Sequence, residues 1–473
     1  MIIVPANTLA AGGFSVANSC RFNRGDSAKM SKTLGTATLN TKWTVNTWFK
    51  LGGDGLGVNY VLWTVRNGTS GPYVNLNFDT SDRIMIYGPD KDGNNDFNYV
   101  TNRKFRDVGA WYCITIAFDS TLSAAGDRLR IYVNGVEETS FATETHPAQN
   151  QIYVANYTGY TFVVGARTDD SEFFSGYQAE FCMIDGQQLT PTSFGEFDED
   201  SPTIFKPINV SGLTFGNNGF YLDFEDSANL GNDANGGTDL TESNLAAADQ
   251  ATDTPTNNFC TLNPLDRRIG GTGPTFAEGN NMWTASSNSS SNGGVRGSLG
   301  VSSGKYYFEV KAVTASMLCC GMQLDSVDAR WDANGSVQNQ TGFYGIAFNG
   351  EKVVAGSSTA SVFTALSNND IIGFAFDLDN NKFFARVNDG AWFASGNPET
   401  GANTLGTLAS GTYLPAVSSV GWSTASSAQF NFGGSPAFTV SSGNADGNGY
   451  GNFEYAVPTG YFALCTKNLA EYG

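Results

Sequence analysis

Short runs in which apolar and polar residues alternate, punctuated by Gly, Asn and Asp, recur along this chain, and a period of two fits a β-strand and no helix. In "WYCITIAFD" (111–119), Ile114, Ile116 and Phe118 share one face; in "RLRIYVNG", Leu129, Ile131 and Val133 oppose Arg130, Tyr132 and Asn134. Asn134-Gly135 then supplies the positive φ angles of a two-residue hairpin loop, and "FFARVNDGAWF" (383–393) is a near echo of that hairpin. "GKYYFEVKA" sets Tyr306, Phe308 and Val310 against Tyr307, Glu309 and Lys311. "DIIGFAFDLDNNKFFARVNDGAWF" aligns Ile372, Phe374 and Phe376 before turning at Asp379-Asn380-Asn381 into a partner strand. No segment carries a sustained helical apolar stripe, so the expected fold is all-β.

At 473 residues the chain exceeds one comfortable core. Two antiparallel β-sandwich (jelly-roll) domains in tandem are expected, one over 13–225 and one over 258–466. A short arm (1–12) precedes them and a C-terminal tail (467–473) follows. Between them, residues 226–257 hold six acids, no base and no aromatic. Such a stretch cannot offset its ordering entropy by burying its own side chains, so it reads as an acidic linker or a surface excursion. Glycine at 56, aromatics at 13% and charged residues at only 15% agree with sandwiches rather than bundles.

Against 45 acids stand 26 bases, a formal charge of −19. Phosphate neutralisation is therefore no source of affinity, and nucleic acid is not an expected partner. No run of about 18 apolar residues is present, so membrane insertion is not expected, and the opening "MIIVPANTLAAGGF" lacks the basic region of a signal peptide. The seven cysteines are odd in number and contain no C-x-x-C pair. They read as small buried hydrophobes in a protein folded under reducing conditions.

Several motifs in order resemble known families. "CRFNRGDSAKMSKTLG…KWTVNTWFKLG", "AWYCITIAFD…LRIYVNGVEETSF" and "FFSGYQAEFCMIDGQQLTPTSFGE", spanning about 20–197, resemble the laminin-G-like branch of concanavalin-type jelly rolls, particularly the versions in tailed-phage virion proteins. The opening "IIVPANTLAAGGF" and "TNNFCTLNPLD" (256–266) resemble the same phage group. "SSGKYYFEV", "DIIGFAFDLDNNKFFARVNDG", "YLPAVS", "FNFGGSPAF" and "VPTGYFALCT", about 258–466, resemble a SPRY domain. In place of that family's long Trp-rich strand openings stands "TASSNSSSNGG". Both resemblances imply binding of glycans or proteins through loops, and neither implies catalysis.

The residues themselves argue the same way. His146, in "TETHPAQN", is the sole histidine and sits beside a proline, which leaves an acyl-transfer triad without a relay. "GVSSG" (300–304) fits G-x-S-x-G but precedes a strand rather than a helix. Concanavalin-type jelly rolls also house laminarinases, which carry E-x-D-x-x-E on one strand; in "EFDEDSP" Glu196 and Asp198 fit, but Ser201 and Pro202 stand where the second glutamate is needed. Asp90, Asp92 and Asn94 of "DKDGNND" occupy the first, third and fifth places of a calcium loop, making calcium the one candidate cofactor. Asn95 replaces its glycine and Thr101 its closing glutamate, so a plain hairpin loop competes with that reading. "DLDNN" from Asp377 reads as a turn, and Arg24-Gly25-Asp26 as a hairpin turn.

Sugar recognition needs an exposed aromatic plane with amides or carboxylates around it. Alternation in "KWTVNTWFKL" puts Trp43, Val45, Thr47 and Phe49 on one face and leaves Trp48 with Asn46 and Lys50 on the other, unless a bulge or a neighbouring loop buries Trp48. Trp331 and Trp392, each flanked by turn residues, are further candidates, with loop anchoring as the alternative. The expectation is a non-enzymatic structural protein outside a tailed-phage virion, assembled in the host cytoplasm and multimeric on the particle. It would contact other virion proteins and, as a tail fibre or spike component, host-surface glycan. The alternatives are a capsid decoration or head-fibre protein and a glycan depolymerase.

Overall fold

Lys42–Leu51 is a ten-residue strand rich in aromatic and β-branched residues, and it pairs antiparallel with Trp111–Asp119 on one side and Gly176–Asp185 on the other. Its inward positions Trp43, Val45 and Phe49 enter a buried core. There the Trp43 ring meets the edge of Trp63 at 6.0 Å and stacks on Phe118 at 4.9 Å, while Phe49 meets Phe78 at 5.5 Å. Trp63 and Phe78 belong to a second sheet, so these contacts bind two antiparallel eight-stranded sheets face to face. The computed structural model describes residues 13–68, 71–267, 273–285, 293–327, 337–420 and 424–473. The chain divides into two units, Ala10–Thr256 and Asn257–Gly473; the arm expected over 1–12 lies outside the described residues.

The hairpin Leu129–Val133 to Val136–Glu137 turns through Asn134 at φ 49° and Gly135 at φ 79°. A Cβ on residue 135 would come within 2.5 Å of the Phe205 ring, so only glycine fits. Its echo behaves differently. After Lys382–Val387 the chain takes positive φ at Asn388 and Asp389, but no strand returns directly: the loop carrying Trp392 leaves the sheet through a short 3-10 turn at Phe393–Ser395, and the chain pairs with Lys382–Val387 again only at Gly406–Thr407.

The acidic segment, expected as a linker or a surface excursion, packs onto the first unit. Thr241–Ser243 adds an edge strand to the Trp63 sheet by pairing with Lys29–Thr33, and Gln250–Ala251 does the same for the Trp43 sheet by pairing with Ser19–Phe22. Three of its acids meet bases that the jelly-roll strands present: Asp249 with Arg21 at 3.4 Å, Asp233 with Lys32 at 3.6 Å, and Asp253 with Lys50 at 2.7 Å. The last pair has side chains only 0% and 1% exposed, and Asp253 also accepts the Trp111 indole N–H at 3.0 Å. Local composition misleads here because the partners lie some 200 residues away in sequence.

In the second unit, among the described residues, a seven-stranded antiparallel sheet and an eight-stranded sheet, antiparallel except where Phe462–Ala463 joins Lys305–Thr314 in parallel, enclose their own core. Tyr306, Phe308 and Val310 of Lys305–Thr314 point inward, in register with Phe376, Phe374 and Ile372 of Ile371–Asp377. Across the sandwich Tyr344 meets Phe383 at 6.2 Å. The opposite face is not solvent: Tyr307 and Glu309 are fully buried, Tyr307 in a second apolar layer with Phe453 and Tyr461. The expected tail is a packed helix, Thr466–Tyr472, whose Leu469 is buried and whose Tyr472 stacks on Phe462 at 4.0 Å. All seven cysteines are buried and none forms a disulfide, and no helix among the described residues is long and apolar enough to cross a membrane. The fold is all-β, two antiparallel sandwiches following one another along the chain.

Replacing Asp253 by Ala strips a buried ammonium of its counter-charge and is expected to cost the first unit about 3–5 kcal/mol. The double replacement Lys50→Met with Asp253→Leu should recover most of that loss. Urea unfolding followed by tryptophan fluorescence compares the variants.

Candidate functional site

The face of Lys42–Leu51 that alternation directs away from the core is covered, which corrects the expectation for two candidate residues. Trp48 is 3% exposed and stacks on Phe205 at 5.9 Å, within a satellite cluster that also holds Val16, Cys113 and Ala179. Asn46 is buried beside it, its Oδ1 accepting the Thr115 hydroxyl at 2.8 Å and the Cys113 thiol at 3.3 Å. Neither can meet a sugar. Phe205 belongs to the small hairpin of Gly195–Phe197 and Phe205–Pro207, which folds back over the sheet.

The calcium loop is a hydrogen-bonded turn. Asp90 Oδ1 accepts the amides of Asp92 at 3.0 Å and Asn94 at 2.9 Å, and Oδ2 accepts the Asn95 side chain at 2.6 Å. Burial opposes ionisation, yet these bonds hold the Asp90 carboxyl below its ordinary range. Asp92 pairs with Lys91, and the Asn94 side chain donates to the Asp92 carbonyl. Asp90, Asp92 and Asn94 thus serve their own loop, and no group of three His, Cys, Asp or Glu side chains able to hold a metal ion occurs among the described residues.

Glu196 and Asp198 flank Lys206 at 3.4 and 3.3 Å, and Asp198 caps the following turn through the amides of Asp200 and Ser201. His146 Nδ1 lies 2.7 Å from the Tyr99 hydroxyl. Trp331 lies outside the described residues. Trp392 lines a cavity, a cleft of about 310 Å³ in the second unit that it shares with Arg386, Asn397, Glu399 and Pro458.

A larger groove, about 580 Å³, opens in the first unit between the paired strands Lys29–Thr33 and Thr241–Ser243, the latter at the sheet edge, and the loops around Asn217 and Asn235. Its floor at Asn218 is held from behind by a buried polar network centred on Asp185. That carboxylate accepts the amides of Thr38 at 2.7 Å, Leu39 at 3.3 Å and Asn218 at 3.0 Å, and the Asn156 side chain at 2.5 Å. Asn218 in turn donates to Asn156 Oδ1 at 2.9 Å. At Gly216, φ 80°, a Cβ would fall 2.2 Å from the Asp185 carbonyl oxygen, so the loop reaches this position only with glycine.

Above the floor, the side-chain amides of Asn217 and Asn235 make no hydrogen bond among the described residues, and both are exposed. The Lys32 charge is met by Asp233 and lies 5.3 Å from the Phe220 ring centre. Asp239 keeps a carboxylate at the rim, held below its usual range by the Asp233 amide and the Asn229 side chain. The groove therefore offers amides, hydroxyls and one unneutralised negative charge, which suits an uncharged polyhydroxylated ligand and disfavours an anion. Its residues come from "FGNNGF" and "GNDANGGTD", stretches whose turn composition conceals that they converge.

One strongly perturbed acid lies elsewhere. Glu180, at φ 49° in a bulge of Gly176–Asp185, is 3% exposed and accepts the Tyr221 hydroxyl at 2.8 Å. Burial pushes its carboxyl up to about 8, with Asp223 and Glu225 adding to the rise against the Tyr221 hydrogen bond. A raised glutamate is what a general acid requires, but this one is sealed beneath the surface.

Residues 23–192 match the concanavalin A-like lectin/glucanases superfamily, laminin G type. No curated protein matches the chain. Among solved structures it is similar to a heptameric SAP-like pentraxin from Limulus polyphemus (15% identity, TM-score 0.28, 38% of this chain and 80% of that one). It is similar also to the SPRY domain of human HERC1 (14%, 0.26, 36% and 96%) and to the LG1-3 region of the laminin alpha2 chain (8%, 0.32, 85% and 59%). At those scores the likenesses add no functional inference. The groove is built partly on this concanavalin-type stretch, at Ser31–Gly35, and partly on residues 216–241 downstream of it.

Because folding raises the Glu180 pKa from an ordinary 4.5 to about 8, the fold favours its neutral form. That contribution is complete below about pH 4.5 and falls by about 1.4 kcal/mol per pH unit until pH passes 8. Glu180→Gln should abolish this slope, so its stability relative to wild type rises steadily between about pH 5 and pH 8 in urea unfolding series.

Proposed function

We propose that this chain is a binding protein whose concanavalin-type unit holds a neutral glycan in the Asn217–Asn235 groove. The observation that carries this reading is the pair of unspent amides over an already ordered, hydrogen-bonded floor. Sugar hydroxyls both donate to and accept from amide groups, and a preorganised site loses little further entropy on binding. The lectin named in the matched superfamily's description supports the same ligand class.

We further place the protein on the exterior of a tailed-phage particle, as a tail fibre or spike component meeting the host surface. The order of laminin-G-like and SPRY-like motifs and the opening "IIVPANTLAAGGF" support that placement. Other virion proteins would be its standing partners, and several copies would turn weak single contacts into firm attachment. A charge of −19 supports solubility and rejection of packaged DNA.

Titration of the full chain with neutral host polysaccharide fragments should register binding, and the double replacement Asn217→Ala, Asn235→Ala should weaken it about tenfold, the worth of two net hydrogen bonds. Antibody labelling of intact particles should mark the tail. Labelling of the head with no glycan binding would favour a decoration protein, and release of reducing ends would make the chain a depolymerase.

A further inference from the structure

The second unit carries a cleft of different construction, walled by the loop from Trp392 to Glu399 and the loop Ala456–Pro458. Both walls are pinned from beneath. Buried Glu309 accepts the amides of Glu454 at 2.9 Å and Tyr455 at 2.8 Å, together with the Tyr307 hydroxyl and the Asn431 side chain, each at 3.0 Å. Arg386, whose side chain is 11% exposed, donates to the Ala456 carbonyl at 2.8 Å and pairs with Asp389 at 2.7 Å. Its guanidinium lies 4.8 Å from the Trp392 ring centre and 5.7 Å from that of Tyr455. On the other wall the Tyr461 hydroxyl donates to the Pro398 carbonyl at 3.2 Å, and Thr459 donates to Glu399 Oε1 through its amide at 3.2 Å and its hydroxyl at 2.9 Å.

Three groups are left to face a ligand. The indole of Trp392 is half-buried and lines the cleft beside Arg386. Glu399 keeps Oε2 without a hydrogen-bond partner among the described residues, and the Thr459 hydrogen bonds hold its carboxyl below the usual range, so it is ionised at neutral pH. Asn397 uses Oδ1 to accept the Thr400 amide at 3.0 Å, which leaves its NH₂ to donate. The positive charge of Arg386 is already answered by Asp389, so nothing in the cleft compensates a second anion beside Glu399.

We propose that this cleft binds one neutral hexose-type residue, its C–H face stacked on Trp392, adjacent hydroxyls donating to Glu399 and one accepting from Asn397. An aromatic plane, a fixed carboxylate and a free amide around a cavity of about 310 Å³ supply each contact a sugar ring needs. The proline-flanked walls would also admit a proline-rich peptide, but its proline residues have no N–H to donate to an ionised acceptor. The site does not depend on the groove of the first unit.

Saturation-transfer NMR and titration of the full chain with a panel of neutral methyl hexosides, a methyl uronide and a proline-rich peptide test it. The expected result is binding of at least one neutral hexoside and not of the uronide. Measured in the Asn217→Ala, Asn235→Ala background, so that the groove of the first unit contributes nothing, Trp392→Ala and Glu399→Gln should each weaken that binding about tenfold or more, and Trp392→Phe should retain most of it. Because Glu399→Gln leaves the aromatic packing intact, loss there is not a folding defect. No hexoside binding, binding indifferent to both Trp392→Ala and Glu399→Gln, or preference for the uronide or the peptide would overturn the proposal.

Discussion

A carboxylate and an ammonium shut away from water, Asp253 and Lys50, hold the first unit in the form described. Lys42–Leu51 is buried on both faces, and its outer face carries Asn46, Trp48 and Lys50, which the protein cannot leave against an empty apolar surface. The segment after residue 226 resolves this by bringing its acids to the bases and adding an edge strand to each sheet. Such a pair is weak evidence for net stability, since two well-packed apolar side chains can serve as well. What it does specify is where the segment lies.

The same economy shapes both cavities. Beneath the groove, Asp185 collects donors from three loops; beneath the Trp392 cleft, Glu309 collects them from the loop at 454–455 and from two strands. In each case a buried acid ties irregular backbone to a sheet, because loop amides drawn under the surface must find acceptors. The groups left unsatisfied then lie on the outside: Asn217 and Asn235 in one cavity, Asn397, Glu399 Oε2 and Trp392 in the other. A rigid scaffold presenting polar loop residues is a binding device, and loop side chains can vary without disturbing the sheets.

A formal charge of −19 suggests a surface hostile to most biological polymers, but much of the acid is consumed internally. Asp90, Asp198 and Asp377 cap turns, and Asp233, Asp249 and Asp253 answer buried bases. The acids left facing the cavities, Asp239 and Glu399, are those that bias each toward uncharged ligands.

How much of this was legible in the sequence follows from the range of the interactions. Strand alternation, the Asn134-Gly135 turn and the inward sets Ile114, Ile116, Phe118 and Tyr306, Phe308, Val310 are local properties of the backbone, set by a period of two and by which residues tolerate positive φ. The all-β class followed from them. Alternation also directed Trp48 and Asn46 outward correctly, yet it could not reveal that Phe205 would close over them or that the tail would pack as a helix, since those contacts join residues far apart in the chain. For the same reason six acids without a base read as a linker or a surface excursion, and nothing local marks Asn217, Asn235 or Glu399. The sequence alone determined which way each strand faces; only the tertiary structure decided which outward faces stay wet, because burial of a second face depends on partners that no local pattern encodes.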